Sequence, residues 1–236
     1  MNQIGIISAL IPEAACLTDL PLTPDSIFRI QDNLSLYVCG MGAERAAVAA
    51  RTMIEAGMDV LVSWGTAGAL APNLNPGDLL VPETILAFDG HVYRTAKHWR
   101  TAVLNRLKDF PGDIYLGQLA DSMRVLTTAD EKTDVATQIK TAMAVDMESA
   151  AIAEVAGEYE KPLIVIRIIS DSRGMIIPEI ALRISDSYGR VRIKNLCLQL
   201  ITRPLQIPEL LALARGYRRA SATMKWFGQR LRIIFP

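Results

Sequence analysis

The chain predicts an α/β fold: a single three-layer domain with a central mixed β-sheet flanked by helices, followed by a basic helical extension at the C-terminus. Three observations carry this reading. Apolar runs of strand length alternate with helix-patterned segments. Half of the 236 residues are hydrophobic, enough for a sizeable core. No internal repeat or low-complexity linker divides the chain, and its length suits one domain.

Gln3–Ala9 is a short apolar run with the character of a buried strand. Ile27–Ile30 and Leu34–Val38 flank Asp32 and Asn33, which suits a hairpin turn. Ala43–Ala56, rich in Ala and Arg, predicts a helix that Gly57 ends. Asp59–Trp64 predicts a buried strand running into a small-residue loop, Gly65–Ala69. Strands are expected at Asp78–Val81, Ile85–Phe88, Tyr115–Leu119, Met123–Thr127 and Ala142–Val145. Helices are expected at Trp99–Leu107 and Ser149–Tyr159. Pro162–Ile169 is the most strand-like run of all.

Composition excludes several classes. Lys and Arg together number 25, as do Asp and Glu, so no nucleic-acid-binding field covers the whole surface. With only His91 and His98, no metal site is expected. Cys16, Cys39 and Cys197 are scattered, odd in number and without CxxC spacing, as expected of core thiols in a reduced compartment. The N-terminus shows no basic leader or cleavage signature, and the apolar runs fall short of the roughly 20 residues of a membrane span. These features predict a cytoplasmic protein.

Three polar segments stand at the ends of apolar strands: Glu13, the run Asp146–Ser149, and Ser170–Ser172. Ligands of α/β sheets bind outside the carboxyl ends of strands, where all three would meet. Singly, each has a plainer reading. Glu13 follows Pro12 and suits a first helical turn. Asp146 suits a helix cap, and Asp171 or Ser172 a turn.

The segments Val62–Glu83 (VSWGTAGALAPNLNPGDLLVPE), Ala144–Ala156 (AVDMESAAIAEVA) and Ile164–Ser172 (IVIRIISDS) together resemble the nucleoside phosphorylase and nucleosidase superfamily. Within it they are most similar to the methylthioadenosine/S-adenosylhomocysteine nucleosidase branch, in order and rough spacing over residues 1–172. The run Asp186–Ala220 further resembles the hopanoid-associated phosphorylase subfamily, whose members are proposed to remove adenine from adenosylhopane. The resemblance implies a nucleoside phosphorylase-like catalytic domain over 1–206, a homodimer, no cofactor, and a small-molecule or lipid nucleoside as substrate. The implied reaction is cleavage of adenosylhopane to ribosylhopane and adenine in hopanoid biosynthesis. Methylthioadenosine/S-adenosylhomocysteine hydrolysis, nucleoside phosphorolysis and simple nucleoside or lipid binding are the alternatives.

Such chemistry needs an acid for the departing purine, and burial of a carboxyl at the end of an apolar strand favours its protonated form. Asp171 stands there and matches the family's acid. Glu148 would bind the ribose hydroxyls, Met147 would pack on ribose and base, and Glu13 would orient or deprotonate water. Ser8, Thr66 and Ser170 are further candidate ligands, and Asp146 is left structural. Phosphorylases hold a dianion with arginines. Ser63 and Trp64 stand where many carry one, and Glu13 would repel phosphate, so water is the expected nucleophile. Arg45 and Arg167 keep phosphate open. The family's base-binding aromatic is missing from Leu126–Glu131, and Ser172–Pro178 is an apolar stretch suited either to lining the 5′ side or to core packing.

Residues 207–236 carry six basic residues and one acid, with Trp226, Phe227, Ile233, Ile234 and Phe235 among them. This predicts a basic amphipathic helix. It would be a solvated face, an element packed on the core, or a peripheral contact with the inner membrane surface.

Overall fold

The computed structural model describes residues 2–191 and 202–235. Cys197 and part of the 186–220 run lie outside the described residues. The strands form one mixed sheet, built on β1 (Ile4–Ser8), β2 (Ile27–Gln31), β3 (Leu34–Val38) and β4 (Val60–Ala69). It continues through β9 (Gln118–Asp121) and β10 (Ala142–Asp146) to β6 (Thr84–Leu86) and β7 (Val92–Arg94). β4 forks. Its length pairs in parallel with β11 (Leu163–Asp171), while its last residues pair antiparallel with β10. β5 (Leu79–Leu80) and β8 (Ile114–Tyr115) extend the sheet beyond β11.

The side-chain period of two sorts β4 and β11 between two cores. Leu61, Leu163, Val165 and Ile169 face α2 (Ala43–Glu55) and α5 (Ser149–Glu158), packing on Ala46, Ala49, Met53, Ala153 and Ala156. Val60, Val62, Trp64, Ile164, Ile166 and Ile168 face the opposite layer. That layer includes α3 (Lys97–Arg106) and the long helix α7 (Ile207–Gly228), which the short α8 (Leu231–Ile234) follows. The remaining helices are α1 (Ile11–Ala14), α4 (Ala129–Gln138) and α6 (Glu179–Ile184).

Several expectations are corrected. Gly65–Ala69 is no loop but the end of β4, because β11 continues to pair with it. Tyr115–Leu119 divides into β8 and β9 at Gly117, where φ is 139°. Met123–Thr127 is irregular, since its backbone serves the turn into α4. That helix has a clear sequence signal in Thr128 and Glu131, whose side chains form a capping box.

For the C-terminal helix, the structure takes the second of the three readings, an element packed on the core. Phe227, Ile234 and Phe235 are buried in the core, with the Phe227 ring 4.9 Å from that of Trp64. Trp226 packs edge-on against Phe110 and carries the Arg230 guanidinium over its other side. The aromatic residues that suggested membrane contact thus complete the domain. Two glycines allow the close approach. A Cβ on Gly216 would lie 2.5 Å from the Ser170 carbonyl oxygen, and one on Gly228 1.9 Å from that of Cys16. No helix among the described residues is long and apolar enough to cross a membrane.

Candidate active site

Glu13, Thr66, Met147, Glu148, Ser170 and Asp171, six of the seven predicted site residues, line one cavity of about 160 Å³ at the carboxyl ends of β1, β4, β10 and β11. Ser8 stands behind it, buried, with its Oγ 3.4 Å from Glu13 Oε2.

Glu13 is placed by α1, which opens with Pro12 in its first turn. Its carboxylate is buried beneath β4. Oε1 accepts hydrogen bonds from Thr66 N (2.9 Å) and Thr66 Oγ1 (2.7 Å), leaving Oε2 the less committed oxygen. Burial pushes its pKa up, against the opposing pull of Thr66 and Arg167. A raised pKa at a group facing a cavity suits a proton acceptor working near neutrality.

Glu148 precedes α5, and its Oε1 accepts from Gly42 N at 2.9 Å. Burial and the neighbouring Asp146 push its pKa up to about 7. Asp146 also lines the cavity. It accepts from Ser149 N and Oγ, starting the helix, and from Arg167 Nε at 2.7 Å.

Arg167 lines the cavity beside Glu13 and Asp146. It is 2% exposed, and its guanidinium is committed to Asp146, Ser63 (2.7 Å) and Ser149 (3.0 Å). Arg45 lies on the surface, bonded to Tyr188 Oη at 2.7 Å, and is not part of the cavity lining.

Asp171 ends β11, as expected, but not as an isolated buried carboxyl. Oδ1 accepts from Ser170 Oγ at 2.6 Å, and Oδ2 is paired with the ammonium of Lys132. Lys132, 1% exposed, also lines the cavity. Sequence reasoning missed it because its partner is 39 positions away. The one local signal is the capping box, which puts a lysine in the first turn of α4, where the helix dipole disfavours a cation without a partner.

Leu126 takes part in the wall where the aromatic is missing, with Val125, Val145 and Met147. Of the 172–178 stretch, Ile177 lines the cavity. The Ile177 N–H bonds the Thr127 carbonyl (2.8 Å), joining that stretch to the rim loop.

Residues 26–181 match the family model described as Phosphorylase superfamily. The chain is similar to the 5′-methylthioadenosine/S-adenosylhomocysteine nucleosidases of Haemophilus ducreyi and Maridesulfovibrio salexigens. It is 26% identical to the first over 72% of this chain and 84% of the relative. To the second it is 29% identical, over 72% and 85%. Among solved structures it resembles a mutant of the Helicobacter pylori methylthioadenosine nucleosidase with 5′-methylthioadenosine in the active site. The TM-score there is 0.69 at 17% identity, over 98% of this chain and all of that one. The futalosine hydrolase of the same organism gives 0.69 at 16%, over 99% and 97%. The chain belongs to the phosphorylase superfamily.

Proposed function

We propose that this protein hydrolyses the N-glycosidic bond of an adenine nucleoside carrying a bulky apolar 5′ substituent, with adenosylhopane, cleaved to ribosylhopane and adenine, as the specific candidate. The observation that carries the hydrolytic reading is the convergence of Glu13, Glu148 and Asp171 on one cavity, with Glu13 where a phosphorylase would need positive charge.

A purine leaves readily only when its ring nitrogen is protonated as the bond breaks. Asp171 supplies that proton. Glu148 accepts hydrogen bonds from the ribose hydroxyls and sets negative charge near the oxocarbenium-like sugar. Met147 packs its flexible thioether against the sugar and base. Glu13 Oε2 takes a proton from the water that adds at C1′, while Thr66 and Ser8 hold the carboxylate in place. Aliphatic packing from Val125, Leu126 and Val145 stands in for the absent aromatic against the base.

The apolar 5′ group is supported by the Asp186–Ala220 resemblance and by Leu10, Met41 and Ile177 in the cavity wall. A second reading, a small 5′ thioether, is favoured by the modest cavity and by the names of the relatives. Adenine release from methylthioadenosine and from a lipid-linked adenosine, each with and without phosphate, tests both. The proposal expects phosphate-independent release and a higher kcat/KM for the lipid substrate. Strict dependence on phosphate overturns hydrolysis, and preference for methylthioadenosine overturns the lipid reading. A fall in kcat of roughly 10²-fold or more in Asp171→Asn and in Glu13→Gln, with binding retained, checks the assigned roles.

A bilayer-resident substrate would also give the outer face of α7 a purpose. Arg215, Arg218, Arg219 and Lys225 are exposed there, near the exposed Leu205 and Leu211. Anionic vesicles should pull down the wild type, and Arg215→Glu/Arg218→Glu/Lys225→Glu should abolish this while leaving turnover of a soluble nucleoside intact. Equal partitioning of both proteins removes the idea. The homodimer and the hopanoid pathway rest on the resemblance, and sedimentation would test the first.

A further inference from the structure

Lys132 is a buried cation fixed on three sides. Its Nζ donates to Asp171 Oδ2, to the Ser172 carbonyl at 3.1 Å and to the Met175 carbonyl at 3.0 Å, using all three of its hydrogens. The helix that carries it is itself anchored. Glu131, the preceding residue, accepts from Thr127 N (2.7 Å), Thr128 N (3.1 Å) and Arg124 (2.7 Å), which fixes the α4 N-terminus to the cavity rim. Lys132 therefore has no room to follow Asp171. Asp171 is oriented by Lys132.

The other side of the same carboxylate is equally constrained. A Cβ on Gly68 would lie 3.2 Å from Oδ2, so the backbone of β4 closes over that oxygen. Oδ1 is bonded only to Ser170 Oγ, which also lies 3.4 Å from the Ala67 carbonyl and can donate there instead. The two oxygens are thus unequal. One is committed to an ammonium, and the other can be freed by turning a hydroxyl.

We infer that Lys132 is a positioning residue for the glycosidic cleavage: it holds Asp171 so that Oδ1 carries the proton given to the leaving base, and its charge stabilises the carboxylate left behind. This rests on the nucleosidase reading above. In the step, the Oδ1–H bond breaks and an N–H bond forms on the base. The C1′–N electron pair goes to the base, and the water adding at C1′ gives its proton to Glu13. Solvent restores the proton of Asp171 and removes that of Glu13 after release. A charge that acts on the product side of a proton transfer favours the transition state over the ground state. In a site shut off from water its effect exceeds that of the same charge in solvent.

The test is Lys132→Met in the wild-type and Asp171→Asn backgrounds, read by kcat, KM, the pH profile of kcat and Tm on an adenine nucleoside that the wild type cleaves. In the wild-type background kcat should fall roughly 10²-fold, within the range of acid–base contributions. KM should change little, and the pH profile of kcat should change shape. In the Asp171→Asn background the same change should cost almost nothing in kcat. Lys132→Gln keeps a donor for the Ser172 and Met175 carbonyls without the charge, so it gives the same readout if the Met variant folds poorly. An equal loss in both backgrounds, with the profile unmoved and Tm lowered, would make Lys132 a structural strap and overturn the inference. So would unchanged kcat. A wild type that cleaves no nucleoside overturns the function and this inference with it, whereas an active wild type with unaffected variants overturns this inference alone.

Discussion

Gly65 and Glu13 are made for each other: a Cβ on Gly65 would lie 2.8 Å from Glu13 Oε2, the less committed oxygen of that carboxylate. Gly68 stands in the same relation to Asp171, three residues along β4. The small residues Gly65 to Gly68 thus form the part of the strand under which two of the three carboxylates fit. Alanine at Gly65 must displace Glu13, since the Thr66 bonds hold the other oxygen. Gly65→Ala is expected to lower kcat by roughly 10²-fold, the cost of a misplacement of about 1 Å, with a smaller change in KM. Steady-state kinetics on the cleaved nucleoside check this, and a wild-type kcat would show that the Glu13 position is not demanding.

Glu148 sets a pH dependence. Its pKa, raised to about 7, means that the folded protein resists ionising a group that ionises near 4.5 when unfolded. This group therefore costs no stability below about pH 4.5. Its cost grows as the pH rises towards 7 and then stays constant. Glu148→Gln should raise Tm at pH 8 and leave it nearly unchanged at pH 4.5. The carboxamide oxygen can still accept the Gly42 N–H, so that bond is not the variable.

The same ionisation governs turnover. If the ribose hydroxyls donate to ionised Glu148, kcat/KM rises with pH through a limb near 7 in the free enzyme. The raised pKa of Glu13 contributes to the same side of the profile. Glu148→Gln should lower kcat/KM and remove the Glu148 part of the limb. A profile that keeps its shape in the variant would assign the limb to Glu13 alone.

Helix α7 supports the active strand directly. Gly216 leaves no room between that helix and the Ser170 carbonyl, one residue from Asp171. Gly216→Ala should cost about 1–3 kcal/mol, as overpacking does. It should also lower kcat, because the end of β11 must move. Denaturant unfolding and kinetics on one preparation test the coupling. A loss of stability with unaltered kcat would separate the helix from the site.

The C-terminal helix cannot be removed to test surface binding, because Ala220, Met224 and Phe227 belong to the core. Truncation before Ile207 is expected to give a chain that fails to fold, read by circular dichroism and gel filtration. Phe227→Ala, which empties a site against Trp64, should cost about 3–5 kcal/mol. Substitution of the exposed arginines should cost almost none.

Local pattern determined a good deal. The strand and helix character of β1, β3, β4, α2, α5 and β11 is written in the period of their apolar residues, because the pleat and the helical turn are local properties. That Glu13, Glu148 and Asp171 stand at strand ends follows from the same pattern. Tertiary structure decided the rest. Whether Gly65–Ala69 is loop or strand depended on β11 arriving beside it. What the Arg167 guanidinium bonds depended on the approach of Asp146, Ser63 and Ser149, and whether the C-terminal aromatics face water depended on the groove beside Trp64. The pairing of Lys132 with Asp171 joins two elements 39 residues apart, and no local periodicity records a contact made by chain return. Sequence placed the carboxylates at the sheet's edge. The return of α4 to the end of β11 decided that Lys132 pairs with one oxygen of Asp171 and Ser170 with the other.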